Sequence, residues 1–290
     1  PHRLSAGRGE GAGAGGFHRR ADMTLDAATI DGIARAFHRA EQDHERIRPP
    51  SVQYPGFTTE DAYAVQRRWI DIKVAEGNPI KGRKIGLTSR AMQRQANITE
   101  PDYGALMEDM FYEGGAELPM SRFIQPRLEC EIGFVIGKRL RGPGCTIFDV
   151  LNATDYVVPA LEIVDNRAHR IDPVTDKPRC VLDSIADNAG DAAVIVGGRP
   201  MRPLDLDLRW VAALCYRNNV IEESGVAAAV LNHPANGVAW LANKLAPFDT
   251  ALEPGQFVLG GSFTSVVEAR AGDTFHVDYG SFGSISCRFV

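Results

Sequence analysis

The run Arg127-Leu-Glu-Cys-Glu-Ile-Gly-Phe-Val-Ile constrains this chain more than any other segment. Leu128, Cys130, Ile132, Phe134 and Ile136 form an unbroken apolar set at every second position, the pattern of an extended strand with one buried face. The opposite face starts with Glu129 and Glu131 and continues with Gly133 and Val135. Carboxylates two residues apart on one strand face aim at the same volume, where they repel, and burial makes their ionised forms more costly. Glu162, in Pro159-Ala-Leu-Glu-Ile-Val-Asp, interrupts a second segment of the same kind. Two readings fit. The glutamates could line a solvated strand face, where glutamate is ordinary, or a cavity in which a cation offsets their repulsion. Gly133 and Val135 continue the glutamate face without polarity and favour the cavity. Three carboxylates with no His or thiolate beside them suit a hard ion such as magnesium.

The bulk numbers exclude several functions. A chain of 290 residues with 44% hydrophobic and 24% charged residues is ordinary for a globular protein and long enough for one large domain or two small ones. A net charge of −5 and an isoelectric point near 5.8 argue against a nucleic-acid partner, which needs concentrated Lys and Arg. No apolar run approaches the ~20 residues that cross a bilayer. The five cysteines (Cys130, Cys145, Cys180, Cys215 and Cys287) are odd in number, scattered and never in a Cys-x-x-Cys pair. They read as reduced thiols of a cytoplasmic protein, with Cys130 a small core hydrophobe on the far face of its strand.

Residues 1–22 are rich in Gly, Ala and Arg without apolar periodicity, and read as a disordered extension ahead of Met23. A helical region over 23–80 follows. Asp26 is placed to cap a helix carrying Ile30, Ile33, Phe37 and Ala40, and Thr58 and Thr59 precede a second over 59–76. From 81 to 290 the chain turns to strands, expected at 84–87, 128–136, 156–164, 192–196, 206–217, 220–225, 257–260, 274–279 and 283–289. A hairpin turn falls at Asn218-Asn219, and one further helix starts at Pro234. The pattern is α+β, with N-terminal helices and a mixed β core making one functional domain.

Other candidates are weaker singly. Lys84 heads a short apolar run bounded by glycines; burial would lower its pKa, while attraction to a carboxylate would keep it charged. Asp102, in Glu100-Pro-Asp-Tyr-Gly, reads as a turn residue bonding local backbone. Ser184 lacks a Gly-x-Ser-x-Gly elbow, and Gly260-Gly-Ser-Phe-Thr lacks a phosphate-loop pattern. His169, His233 and His276 lack metal-ligand spacing.

Taken together, Lys84-Ile-Gly-Leu-Thr-Ser, Glu100-Pro-Asp-Tyr-Gly-Ala-Leu, the Glu129/Glu131 strand, Asn152-Ala-Thr-Asp-Tyr-Val-Val-Pro-Ala-Leu-Glu and Asp273-Thr-Phe-His-Val-Asp-Tyr-Gly resemble the fumarylacetoacetate hydrolase superfamily. Within it they are similar to the hydratase and decarboxylase branch that acts on 2-hydroxydienoates from aromatic meta-cleavage. The resemblance runs from about residue 24 to the C-terminus.

The resemblance implies a mixed β-roll core with peripheral helices, assembled as homodimers or larger ring-like homo-oligomers. It implies a divalent ion, magnesium with manganese as a substitute, on Glu129, Glu131 and Glu162. Lys84 and Asp102 take the catalytic positions, and Ser184 lies near the substrate carboxylate. The implied reaction adds water to a seven-carbon 2-hydroxydienedioate, in its keto form 2-oxohept-4-ene-1,7-dioate, within homoprotocatechuate catabolism. The late segment Gly260-Gly-Ser-Phe-Thr stands where the hydrolase branch carries Gly-Thr-Pro, which favours hydration over hydrolysis. A diacid also needs a distal receptor. Arg167, Arg170 and Arg179 follow the Glu162 strand, and Arg179 is the candidate for a bidentate contact. Decarboxylation of 2-oxohex-3-enedioate and hydration of five-carbon 2-hydroxypenta-2,4-dienoate remain alternatives. A non-catalytic partner subunit is a third, opposed by the intact Lys84, Asp102 and glutamates.

Overall fold

Capping chemistry sets the N-terminal helices in the computed structural model, which describes residues 24–290; the segment 1–22 lies outside the described residues. Helix α1 (Ala27–Asp43) begins after Asp26, whose carboxylate accepts from the Thr29 N–H at 2.7 Å. After the single turn α2 (Pro50–Gln53), helix α3 (Thr59–Ala75) opens with a capping box between Thr58 and Asp61. Asp61 also accepts from the backbone N–H groups of Thr24 and Leu25, tying the starts of α1 and α3 together. Phe37 and Trp69, both fully buried, stack between the two helices with ring centroids 5.7 Å apart.

The rest of the chain supplies β1 (Ile80–Gly86), α4 (Arg90–Ala96), β2 (Asp102–Met107), β3 (Phe111–Glu113), β4 (Ala116–Leu118) and β5 (Arg127–Ile136). Then come α5 (Ile147–Ala153), β6 (Thr154–Val164), α6 (Val181–Ala186), β7 (Asp191–Val196), β8 (Ala212–Arg217) and β9 (Val220–Val226). Helix α7 (Pro234–Leu245) precedes β10 (Phe257–Leu259), β11 (Val267–Glu268), β12 (Thr274–Asp278) and β13 (Ser284–Phe289).

The strands form two mixed sheets. The larger runs β2-β1-β10-β5-β6-β7-β3, with β11 also on β5, and the smaller runs β4-β13-β12-β8-β9. Asn218 and Asn219 both take positive φ, which gives the β8–β9 hairpin the twist of a type I′ turn. The α+β expectation holds, with helices packed around a mixed β core.

The two faces of the larger sheet differ. On one, Leu128, Cys130, Ile132, Phe134, Leu161, Ile163 and Ile195 enter the main core with the helices. The other face carries a separate apolar cluster of Leu106, Val158, Ala160, Val194, Phe257 and Leu259. Register puts the glutamates on this second face, since Glu129 lies opposite Glu162 and Glu131 opposite Ala160.

Three local expectations differ from the fold. Asp102 is not in a turn; it opens β2, antiparallel to β1, and every residue from Asp102 to Met107 is buried. Pairing and burial there override the weak strand preference of Asp-Tyr-Gly. Strand 206–217 begins only at Ala212, because Asp207 accepts from the Arg209 N–H and winds Leu208–Trp210 into a 3₁₀ turn. Helices α4, α5 and α6 are each of seven residues or fewer, too short to show a periodic stripe.

Candidate active site

One oxygen from each of Glu129, Glu131 and Glu162 lies within 4.8 Å of the other two. Burial deepens along β5, from half-buried Arg127 and Glu129 to fully buried Glu131. The site is therefore closed at the Glu131 end and opens toward Arg127. Strand β10 bridges β5 to β1: Gly133 pairs with Leu259, and Leu259 with Lys84. Lys84, 3% exposed, reaches across so that its Nζ lies 2.9 Å from Glu162 Oε1.

Two glycines make room for two more carboxylates. A Cβ on Gly86 would collide with Asp102 Oδ1 and stand 3.4 Å from Lys84 Nζ, so the bare glycine lets Asp102 lie beside the ammonium. A Cβ on Gly104, which pairs with Lys84, would come 2.5 Å from Asp191 Oδ2. Asn188 closes two hydrogen bonds with the Ala105 backbone, at 2.8 and 2.9 Å, and so seats the turn before β7 against β2. Asp191, 1% exposed, is thereby a buried carboxylate at the same site that sequence reasoning missed. Its only signal was an Asp heading the apolar run 192–196, an ordinary strand-start residue.

The electrostatics follow from this crowding. Burial pushes the Asp102 carboxyl up to about 6, with Lys84 pulling the other way. Burial and then the Glu162 charge push Glu129 up to about 8, and burial with both neighbours carries Glu131 well above the carboxylate range. Burial also lifts Asp191 strongly. Glu162 goes down: burial opposes ionisation, but the adjacent ammonium together with the neighbouring Asp191 and Glu131 carboxyls outweighs it. Lys84 is held well above its usual range despite burial, chiefly by Glu162 and Asp191. Attraction, not desolvation, decides the charge of this lysine.

The donor set fits a divalent cation. Glu131 Oε1 and Glu162 Oε2 are buried without a hydrogen-bond donor and Glu162 Oε1 meets the Lys84 ammonium, while Glu131 Oε2 accepts from the Gly261 N–H at 2.9 Å. Buried carboxylate oxygens without donors are costly unless something positive meets them, and an all-oxygen set suits a hard ion.

Residues 80–290 match the sequence profile described as fumarylacetoacetate (FAA) hydrolase C-terminal. The chain belongs to the fumarylacetoacetate hydrolase family. It is 65% identical over 266 residues to the 2-oxo-hept-4-ene-1,7-dioate hydratase of Escherichia coli, covering 92% of this chain and 100% of that protein. It is 36% identical over 267 residues to the 2-hydroxyhexa-2,4-dienoate hydratase of Comamonas testosteroni, covering 91% and 99%. Among solved structures, 4-oxalocrotonate decarboxylase from Pseudomonas putida G7, complexed with magnesium and adipate, superposes with a TM-score of 0.88 at 35% identity, covering 93% of this chain and 100% of the other. The branch expected from sequence, hydratases and decarboxylases, is the one these relatives occupy.

The remaining sequence candidates sit outside the cluster of carboxylates in this fumarylacetoacetate hydrolase fold. Ser184 is half-buried in α6; Gln66 Nε2 donates to both Tyr103 O and Ile185 O at 2.9 Å and ties α6 to the start of β2. Arg170 is exposed. Arg167 is not a solvated loop residue: it is 2% exposed, its Nε donates to Asp187 Oδ1 at 2.5 Å, and its guanidinium lies 5.0 Å over the Trp69 ring. That arginine is committed to the fold. Arg179 is half-buried, and its guanidinium donates to Ala168 O at 3.3 Å.

Proposed function

We propose that this enzyme is a metal-dependent hydratase converting 2-oxohept-4-ene-1,7-dioate, reached from 2-hydroxyhepta-2,4-dienedioate, and water into 4-hydroxy-2-oxoheptanedioate. The observation that carries this reading is the 65% identity across the whole length of a hydratase of that description. The reaction is a hydro-lyase reaction on a small molecule. Glu129, Glu131 and Glu162 would hold the ion, magnesium with manganese as a substitute. When bound, the ion supplies Lewis acidity toward the 2-oxo acid end.

The chain's own residues handle the protons. Hydration needs one proton moved along the conjugated chain and another managed as water adds at C4. Lys84 Nζ and the Asp102 carboxyl are both buried and both border the space left bare at Gly86, so each can serve one of these protons. The apolar cluster of Phe257, Leu259, Val158 and Val194 lies on the same sheet face and limits stray water around the carbon chain. Ser184 is assigned to the 2-oxo acid carboxylate and Arg179 to the distal one. Residues 23–80 and 81–290 act as one functional unit.

Decarboxylation of 2-oxohex-3-enedioate is a second reading, favoured by the likeness to a 4-oxalocrotonate decarboxylase. A panel of five-, six- and seven-carbon 2-hydroxydienoates, followed by dienol absorbance, product identity and carbon dioxide release, separates the two. Preferred release of carbon dioxide would sink the hydratase reading. We place the enzyme in homoprotocatechuate catabolism, as a homodimer or ring-like homo-oligomer in the cytoplasm. No described helix is long and apolar enough to cross a membrane, and all five cysteines are free.

A further inference from the structure

The chain beyond β10 runs on alongside β5 and turns one donor out of the ladder. The Gly260 N–H donates to Ile132 O at 3.0 Å and the Phe263 N–H to Cys130 O at 3.3 Å, both across to β5. Between them the Gly261 N–H leaves the backbone and donates to Glu131 Oε2 at 2.9 Å. Two features hold Gly261 in that pose. Its φ is +118°, a region that side chains of L-residues rarely adopt. The space where a Cβ would stand is filled by Thr88, whose Oγ1, Cγ2 and Cβ would lie 2.4, 2.6 and 2.9 Å from it. Thr88 is itself fixed, being 3% exposed and accepting at its carbonyl from the Leu231 N–H at 3.2 Å. On the far side, Gly237 of α7 comes so near that a Cβ there would stand 2.9 Å from Gly260 O. Thr88 follows directly from β1, so the segment that carries Lys84 also braces the donor to Glu131.

This bracing decides how many oxygens the glutamates offer. Glu131 Oε2 is taken by Gly261 and Glu162 Oε1 by the Lys84 ammonium at 2.9 Å, which leaves Glu131 Oε1 and Glu162 Oε2 free of donors. Two of the three carboxylates therefore each present a single free oxygen. Calcium takes more oxygens than magnesium and commonly grips both oxygens of one carboxylate, whereas magnesium keeps a tight octahedron with few protein ligands. We propose that Gly261 is a positioning residue of the metal site: its N–H, locked by the positive φ and by Thr88, holds Glu131 to one free oxygen and so tilts the site toward magnesium over calcium. This rests on the metal assignment above and deepens it, by naming what orients a ligand and what selects the ion.

The test titrates magnesium alone, and calcium alone, into the metal-free full chain by calorimetry, so that no turnover enters the result. Gly261→Ala should weaken magnesium binding by about 10- to 100-fold, the usual weight of a group that orients a metal ligand. Calcium binding should weaken less, because a carboxylate released from its donor can grip a larger ion with both oxygens. A melt recorded in chelator reports the strain of the new side chain separately; a purely structural role would lower Tm and leave the magnesium-to-calcium ratio of Kd where it was. Thr88→Ala adds no strain and only removes the brace, so it should move that ratio the same way by a smaller factor. It also decides the matter if Gly261→Ala fails to fold. A wild-type ratio in folded Gly261→Ala, or in Thr88→Ala where the first variant does not fold, would overturn the inference. A wild-type chain that binds neither ion would overturn the metal assignment, and this inference with it.

Discussion

At the scale of single residues, the site depends on atoms that are missing as much as on those present. Gly86 leaves the space that Asp102 Oδ1 occupies on the Lys84 side of β1, and a methyl there would meet that oxygen head-on. Gly86→Ala should therefore cut kcat by at least about tenfold as the carboxylate swings away, the cost of misplacing a proton-transfer group. Steady-state kinetics set beside a thermal melt would check this; a loss of Tm with kcat intact would refute it. Lys84→Met should lower kcat/KM by about 10²- to 10⁴-fold, the weight of a proton-transfer group. Arg167 shows the opposite use of charge. Its contact with Asp187 is buried on both sides, and Arg167→Met leaves that carboxylate alone. Urea unfolding should show a loss of about 3–5 kcal/mol.

At the scale of elements, the loop between β6 and α6 decides where Arg179 stands. Asp172 pins it: both its oxygens accept from Arg48, at 2.7 and 2.9 Å, and Thr175 donates to it as well. These bonds, Arg48 first, hold the Asp172 carboxyl below its usual range. A depressed carboxyl contributes stability above its unfolded value, near 3.9, which is lost as pH falls through the folded value below that. Asp172→Asn should remove that acid-side dependence, expose residues 173–178 to limited proteolysis at neutral pH, and raise KM for the diacid. Wild-type proteolysis and KM in the variant would count against the role. Which elements were legible in the sequence follows the same physics. The strand over 128–136 alternates cleanly because each face has one environment, and the Glu129/Glu131 pair with it. The α1 and α3 starts were legible because Asp26 and the Thr58/Asp61 pair are local signals. Asp102 and Asp191 were misread or missed, since their burial comes from β1 and from Gly104, partners distant in the chain. The commitment of Arg167 was equally invisible, being set by Trp69 and Asp187.

At the scale of the whole molecule, the larger sheet separates two kinds of interior. One face joins the helices in a continuous apolar core, and the other holds the carboxylates above a small apolar cluster. Ion binding should therefore couple to global stability, because the ion removes repulsion that the folded state otherwise bears. Magnesium at about 100 times its Kd should add about 2.7 kcal/mol. The melting temperature should rise on addition, fall again with a chelator, and stay put in Glu131→Gln. Turnover should vanish on exhaustive chelation and return with magnesium; activity that survived would end the metal assignment.

The gradient of burial from Arg127 down to Glu131 also has a kinetic side. Glu131 lies deeper than Glu129 and Arg127, so a substrate arriving from the Arg127 end would come to rest over an ion held by the three glutamates. Such an ion would then enter before the substrate, and a dicarboxylate seated over it would shut it in. Exchange of the bound ion with solvent should accordingly stall while heptanedioate is present, which makes the substrate the gatekeeper of its own cofactor.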